Sequence, residues 1–379
     1  MNILIFFIIL LVLVLVHEAG HFFTAKAFKI RVDEFGFGFP PRLFGKKIGE
    51  TLYSFNLFPV GGFVKIFGEN LDEANLLEVG FLDKEETPEK IELAKRSLAY
   101  KPKYQQALVM FAGIFSNFLL AWILFSFGFM SGLPTSIGNQ QKGYELKDVN
   151  LVVVSVLPKS PAEISGLKSG DKIVSIKSGN DSVSDINPDT LKSFIISHGE
   201  KEIEFRYLRK NNKEINLTKI IPTQKDNNTS PSIGISMDQI GIAKLPVFKA
   251  FYEGMKLDLS VTKDTVVGLY TLIKDSILGK GNLASVAGPV GMVGIVGDAY
   301  KFGFAYLLSF AAIISVNLAI INLIPFPALD GGRLFFLLIE KIKGSRINPK
   351  VANTANFIGF ALLIIFMIVI TYHDIVKLF

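Results

Sequence analysis

Two histidines and a glutamate at the end of an apolar run are the side chains best suited to chemistry in this 379-residue chain: His17, Glu18 and His21, spaced as HExxH. Residues four apart on a helix lie within about 40° of one another, so both imidazoles can grip one ion while Glu18 projects beside it as a base. The motif follows an unbroken apolar run from Ile3 to Val16. At roughly 1.5 Å per residue that run carries His17 about 20 Å into a hydrocarbon slab about 30 Å thick, beyond its midplane. A secretory signal peptide also has a short apolar run. Here no basic residue precedes Ile3, and cleavage after the run would discard the motif or strand it at a terminus. Ionisable groups inside an apolar helix are costly and need a partner, which a metal ion supplies. A water-activating metal in lipid suits a peptidase of membrane-embedded chains.

The elements that must position this motif follow from composition. Half of the residues are hydrophobic, 34 are Phe, and charged residues make up only 20%, as in an integral membrane protein. Besides the first span, three stretches free of formal charge are long enough to cross a bilayer: Ala107 to Met130, Phe302 to Leu329 and Val351 to His373. The net charge of +6 sits beside these spans, so it reads as topology, and nucleic acid is excluded as a partner. Basic residues crowd two connections, among them Arg31, Lys46, Arg96 and Lys103 in the first and Arg333, Lys341 and Arg346 in the second. Both connections should therefore be cytoplasmic, with both termini and the insert from about Ser131 to Lys301 on the outer side. With no cysteine in the chain, the insert folds without disulfides.

Residues 53 to 69, YSFNLFPVGGFVKIFGE, place β-formers around Pro59, Gly61 and Gly62 and read as a hairpin. Either it dips into the bilayer beside the site, covered by protein, or it packs on its own loop. Residues 70 to 103 read as a solvated helical connector. In the insert, LVVVSV predicts a strand, SPAEISGL a capped helical turn, KSGDKIVSI a second strand and EIEFRYLRKNNKEINL a hairpin, together a small α+β module. Residues 227 to 232 read as a surface loop. Between Leu245 and Gly281 apolar and basic residues interleave, which predicts amphipathic helices lying on the outer membrane surface or packed against the module.

A catalytic zinc site usually takes three protein ligands and leaves one position open, so a third ligand is owed. His198 falls in the outer module and His373 near the outward end of the last span, neither within ready reach of His17. Asp330 is better placed. Pro325 and Pro327 break the third span just before it, and a helix over residues 302–324 covers roughly 34 Å, which brings the break to the depth of the histidines. A dication with Asp330 and Glu18 both ionised is formally neutral, which lowers the penalty of a low-dielectric site. The competing role for Asp330 is a helix cap before Arg333.

HEAGHF at 17 to 22, FNLFPVGGFVKIFGE at 55 to 69, GPVG at 288 to 291 and NLIPFPALDGG at 322 to 332, in this order, resemble the site-2 protease family, and within it the bacterial intramembrane zinc metalloproteases that carry a PDZ domain. The resemblance implies zinc, one ion per chain, held by His17, His21 and Asp330, with Glu18 catalytic. It implies that the hairpin is a membrane-reentrant loop holding extended substrate, with Phe55, Asn56, Leu57, Gly61, Gly62 and Phe63 as its substrate-binding residues, and that Asn322 contacts substrate backbone. Asn117 and Asn317 fit interhelical hydrogen bonds equally well. SPAEISGLKSGDKIVSI, residues 160 to 176, is similar to the core of a PDZ domain, with Gly166, Leu167, Gly170 and Asp171 in the usual places.

The expected fold is a mainly α polytopic membrane protein with four transmembrane helices, a membrane-reentrant β-hairpin and an inserted extracytoplasmic α+β PDZ domain. Its segments are helix 1 at 1–28, a cytoplasmic connection at 29–104 holding the hairpin at 53–69, helix 2 at 105–131, and the PDZ domain at 148–238. There follow amphipathic linker helices at 245–300, helix 3 at 301–325, the LDG segment and cytoplasmic loop at 326–350, and helix 4 at 351–376. The expected location is the bacterial inner membrane, and the expected partners are lipid and single-span membrane proteins such as anti-sigma factors or remnant signal peptides. A peptide or a substrate ectodomain would contact the PDZ module. A catalytically silent scaffold, a protease of soluble chains and a transporter are the rivals, disfavoured respectively by the intact motif residues, the lack of a large catalytic domain and the lack of inverted repeats.

Overall fold

The computed structural model describes residues 2–69, 88–139, 144–209, 214–224, 230–279 and 288–376. The acid–base connector expected from residue 70 and the loop expected at 227 therefore lie partly outside the described residues. In chain order the main elements are α1 (Asn2–Ala27), β1 (Val32–Ile48), β2 (Thr51–Ile66), α2 (Lys103–Ser131), β3 (Leu133–Ser136), β4 (Lys147–Val156), β5 (Lys172–Ser178), β6 (Asp181–Val183), α3 (Pro188–Ser197), β7 (Ile203–Leu208), β8 (Ile215–Ile220), β9 (Ile235–Ala243), α4 (Val247–Ile277), α5 (Pro289–Phe302), α6 (Phe304–Leu323), α7 (Asp330–Lys343) and α8 (Pro349–Val376). Four of these, α1, α2, α6 and α8, are long and apolar enough to cross a membrane. The chain divides into two compact units, Met1–Phe125 with Gly254–Val296 and Phe310–Phe379, and Ser126–Glu253 with Gly297–Ser309.

In the first unit the helices start and stop where local chemistry requires. Pro102 opens α2, its carbonyl accepting from the amides of Gln105 and Gln106. Phe22 and Ala25 of α1, Val32 and Phe35 of β1, Val64 and Ile66 of β2, and Val109 and Met110 of α2 form one buried cluster, which clamps the strand pair onto the helix carrying HExxH. A second cluster joins Ala121 and Phe125 of α2 to Ala312, Val316 and Ile320 of α6, with Leu257, Val261 and Leu269 of α4 packed on it. Between 245 and 281 the structure has one continuous helix, α4, and its Leu257, Val261 and Leu269 face the apolar helices α2 and α6. Thr265 of α4 donates to Asn317 at 3.1 Å, so Asn317 makes the interhelical bond that was one of its two readings.

The hairpin expected at 53–69 needs correction. Residues 62–65 run back opposite to 52–58 but do not pair with them; residues 34–37 of β1 lie between the two segments and pair with both. Phe35 faces Val64 on one side and Tyr53 on the other, while Lys46 also faces Tyr53 farther along β1. The chain turns at Gly49 (φ 62°) and Glu50 and reverses a second time across 59–61, because along residues 34–37 the partner numbers rise through 52–55 on one side and fall through 65–62 on the other. Glu50 is held by Lys26 (2.5 Å) and Arg96. Burial opposes ionisation of its carboxyl, but these two cations outweigh it and keep Glu50 below the usual carboxylate range.

The second unit carries a seven-stranded sheet in the order β3-β9-β4-β5-β7-β8, with β6 on β5. It extends beyond residues 148–238 through β3 and the far end of β9. Ser160 caps the helical turn Pro161–Ile164, and Asn187 and Thr190 form a capping box on α3. Alternate residues of β4 and β7, with Ile173 and Ile176 of β5 on either side of a register shift, enter one core with Leu167 and Leu191. Asp171 is buried, accepts a two-pronged bond from Arg209 (2.8 and 2.7 Å), and accepts from the Lys168 amide. The Asp171 carboxylate holds the Arg209 guanidinium above its ordinary value.

Candidate metal centre

The fourfold spacing on α1 sets His17 and His21 one turn apart, with Nε2 atoms 3.2 Å from each other. Asp330 Oδ2 lies 3.0 Å from His17 Nε2 and 3.3 Å from His21 Nε2. Among the described residues these three make the sole cluster of side chains able to hold a metal ion. The fit to zinc can be tested on these distances. Bonds of about 2.0 Å at tetrahedral angles separate neighbouring ligand atoms by about 3.3 Å. The three observed spacings match that edge. Asp330 Oδ2 is also buried and makes no hydrogen bond of proper geometry despite its closeness to both rings. Lone pairs that converge on one point suit a cation better than they suit each other.

Asp330 reaches this point because the third apolar helix stops early. The helix expected to run to residue 324 ends at Leu323, and residues 324–329, with Pro325 and Pro327, form an irregular link before α7. Ala328 takes a left-handed backbone (φ 75°), a strained state for a residue with a Cβ, and its amide donates to Asn356 Oδ1 at 3.2 Å. Leu329 is the N-cap of α7 and Asp330 its first residue, so the capping alternative for Asp330 falls away. Gly332 lets the link fold tightly, since a Cβ there would collide with the Phe326 carbonyl. Arg333, one turn on, pairs with Glu69 just past β2 and so ties α7 to the strand pair.

Closeness around the ligands is also needed from α2. A Cβ at Gly20 would strike Ser116 and the Ala112 carbonyl, so α1 and α2 touch backbone to backbone. A Cβ at Gly113 would overlap His21 Nε2 and lie 2.9 Å from His17 Cε1. The absence of a side chain at Gly113 is therefore what leaves room for the ligands. His21 Nδ1 stands 2.8 Å from the Val109 carbonyl, and His17 Nδ1 stands 3.4 Å from the Asn117 carboxamide. With Nε2 on a metal, each ring carries its proton on Nδ1 and needs an acceptor there.

Glu18 is half-buried beside the ligands, against the backbone N–H of Val64. Gly62 is the neighbouring residue of β2, and a Cβ built there would be 3.7 Å from Glu18 Cγ and from Leu15 Cδ2. Among the described residues, 62–65 pair on one side only, with β1. Of the other residues expected to bind substrate, Phe63 covers Gly36 with its ring, and Gly61 is buried. Phe55 and Leu57 are exposed, with Phe55 stacked on Phe44. Asn56 is buried, and its carboxamide donates to the Gly38 carbonyl at 3.0 Å, which commits it to holding the strands. Asn322 is half-buried on α6.

Residues 5–366 match the model of peptidase family M50. This chain belongs to that family. CPE1693 of Clostridium perfringens is 36% identical over 367 residues, 96% of this chain and 95% of its own. The zinc metalloprotease RasP of Geobacillus kaustophilus is 29% identical over 441 residues, covering 100% of this chain and 98% of that protein. The regulator of sigma-W protease RasP of Bacillus subtilis is 30% identical over 442 residues, 99% and 98% of the two chains. The PDZ domain of the SdrC-like protein of Listeria monocytogenes is 22% identical and covers 25% of this chain and 93% of its own, with a TM-score of 0.20.

As an M50 member the chain is a zinc metalloprotease of the site-2 protease type, a multi-pass membrane protein whose matched region spans His17, His21 and Asp330. Two residues of this site lie outside its motifs: Gly113, and Asn117, which reads from the sequence only as a polar group suited to an interhelical hydrogen bond. Their only trace in the sequence is a glycine and an asparagine four apart inside an apolar helix, which places them on one face.

Proposed function

We propose that this M50 peptidase hydrolyses peptide bonds within or near the transmembrane segments of single-span membrane proteins, with one zinc per chain held by His17, His21 and Asp330. The observation that carries the proposal is the convergence of these three ligand atoms next to Glu18 and next to a strand edge paired on one side only. When bound, zinc supplies a Lewis acid that acidifies water and polarises a carbonyl. Glu18 takes a proton from the attacking water and returns it to the leaving amine. A helical substrate keeps its carbonyls bonded, so it unwinds before attack, and the free edge of residues 62–65 replaces the lost backbone bonds. The β1–β2 pair is then a reentrant element of the bilayer.

The excess of Lys and Arg in the two connections supports a cytoplasmic location for them, with the termini and the PDZ-like second unit outside the inner membrane. That unit acts as a size filter, which restricts substrates to chains already trimmed on the outer side. The sigma-W assignment of the Bacillus subtilis relative supports anti-sigma factors as one substrate class.

Chain reconstituted in liposomes is expected to cut a single-span substrate, to stop when a chelator removes zinc, and to resume when zinc returns. The unwinding step adds a graded prediction. Replacing one Leu near the cut by Gly weakens the substrate helix by about 1 kcal/mol and should speed cleavage by about fivefold. A rate indifferent to substrate helicity removes unwinding from the scheme, and cleavage that survives metal removal overturns the proposal itself.

A further inference from the structure

Asn117 is wholly buried in α2, four residues beyond Gly113, and its carboxamide faces His17 Nδ1 at 3.4 Å. As placed, the amide nitrogen is the atom nearest the ring, and Asn117 Oδ1 is buried with no hydrogen-bond partner. This arrangement conflicts with the metal site. When His17 binds through Nε2, its proton sits on Nδ1, and two donors then confront each other while an acceptor is wasted beside them. The two ends of a carboxamide differ in neither size nor shape, and exchanging them resolves both faults together. The oxygen accepts from His17 Nδ1–H, and the orphaned acceptor is satisfied.

We propose that Asn117 is a positioning residue of the proteolytic site, whose carboxamide oxygen accepts from His17 Nδ1–H and so fixes the tautomer and ring orientation that present Nε2 to the metal. The inference rests on the metal assignment above and deepens it. It matches the second histidine, whose Nδ1 faces the Val109 carbonyl at 2.8 Å. The two rings thus take their acceptors from different parts of one helix, a main-chain oxygen for His21 and a side chain for His17. The backbone at Asn117 is itself held, because its main-chain carbonyl accepts from Ser315 Oγ of α6 at 2.8 Å. Only the His17 bond can therefore be removed by substitution.

The test uses the full chain in lipid nanodiscs and reads zinc affinity by chelator competition, with the thermal stability of the metal-free protein measured in parallel. Asn117→Leu, close in shape but with no acceptor, should bind zinc 10–100-fold more weakly, the usual loss when an outer-shell partner is removed. Asn117→Asp keeps an acceptor and should hold zinc at least as tightly as the parent. Cobalt(II) in place of zinc adds a spectroscopic reading: the visible ligand-field bands should move in Asn117→Leu and return in Asn117→Asp. The proposal is overturned by parental zinc affinity in Asn117→Leu, or by an Asn117→Asp variant that loses zinc as badly as Asn117→Leu. Should Asn117→Leu fail to fold, the comparison of Asn117→Asp with Asn117→Ser decides, since a shorter hydroxyl cannot span the same gap and should lose affinity where Asp keeps it. The dependence on the metal assignment is separable: a His17→Ala protein that still binds zinc at parental strength refutes that assignment, whereas these outcomes at position 117 refute only the positioning role.

Discussion

Glu18→Gln is expected to retain one zinc per chain and to lose cleavage of a reconstituted single-span substrate by about 10²–10⁴-fold, the range that a positioned general base contributes. The two readouts separate because the glutamate stands outside the ligand set: Asp330 and the two imidazoles close on one another at 3.0–3.3 Å without it. Glutamine preserves shape and hydrogen bonding toward Val64 but takes no proton from water. Zinc measured by mass spectrometry alongside a gel-based cleavage assay checks both halves. Unchanged cleavage would remove Glu18 from the chemistry, and lost zinc would make it a ligand.

Gly113→Ala should be as damaging although it alters no polar group. A methyl there overlaps His21 Nε2 and crowds His17 Cε1, and both contacts are ring atoms fixed by their own hydrogen bonds, so neither ring can swing aside cheaply. In a close-packed interior the added carbon displaces a ligand. Zinc affinity should fall by at least the ~10–100-fold of an outer-shell loss, with cleavage falling in parallel. A protein that keeps its helical circular dichroism but releases zinc to a weak chelator meets the expectation. Full zinc retention with normal cleavage would mean that the ligands approach from a different side.

These two residues also mark where the sequence is transparent and where it is not. His17, Glu18 and His21 are legible because one helix turn brings them together, and local spacing alone determines that geometry. Asp330 is legible for a different reason: two prolines interrupt an apolar run, and breaking a helix inside a membrane demands a purpose. The four apolar helices follow from length and composition, as do the strands and caps of the inserted unit. The partners of β2 do not. Glycine and proline inside 53–69 signal the reversal, yet residues 34–37 insert between its two arms and pair with both, and β1 carries its own Pro40 and Pro41 that disguise it as a loop. Gly113 and Asn117 are opaque because their roles exist only across an interhelical contact. A glycine in an apolar helix suits any close packing, and an asparagine any buried hydrogen bond.

The proposed proteolysis depends on one ion held by two imidazoles and a carboxylate from separate helices. X-ray absorption at the zinc edge of the purified, lipid-embedded chain tests that most directly. It should show one zinc per chain with two imidazole ligands, oxygen filling the remaining positions at about 2.0–2.1 Å, and loss of the metal in Asp330→Ala. Fewer than two imidazoles in the first shell, or undiminished zinc in Asp330→Ala, would contradict it.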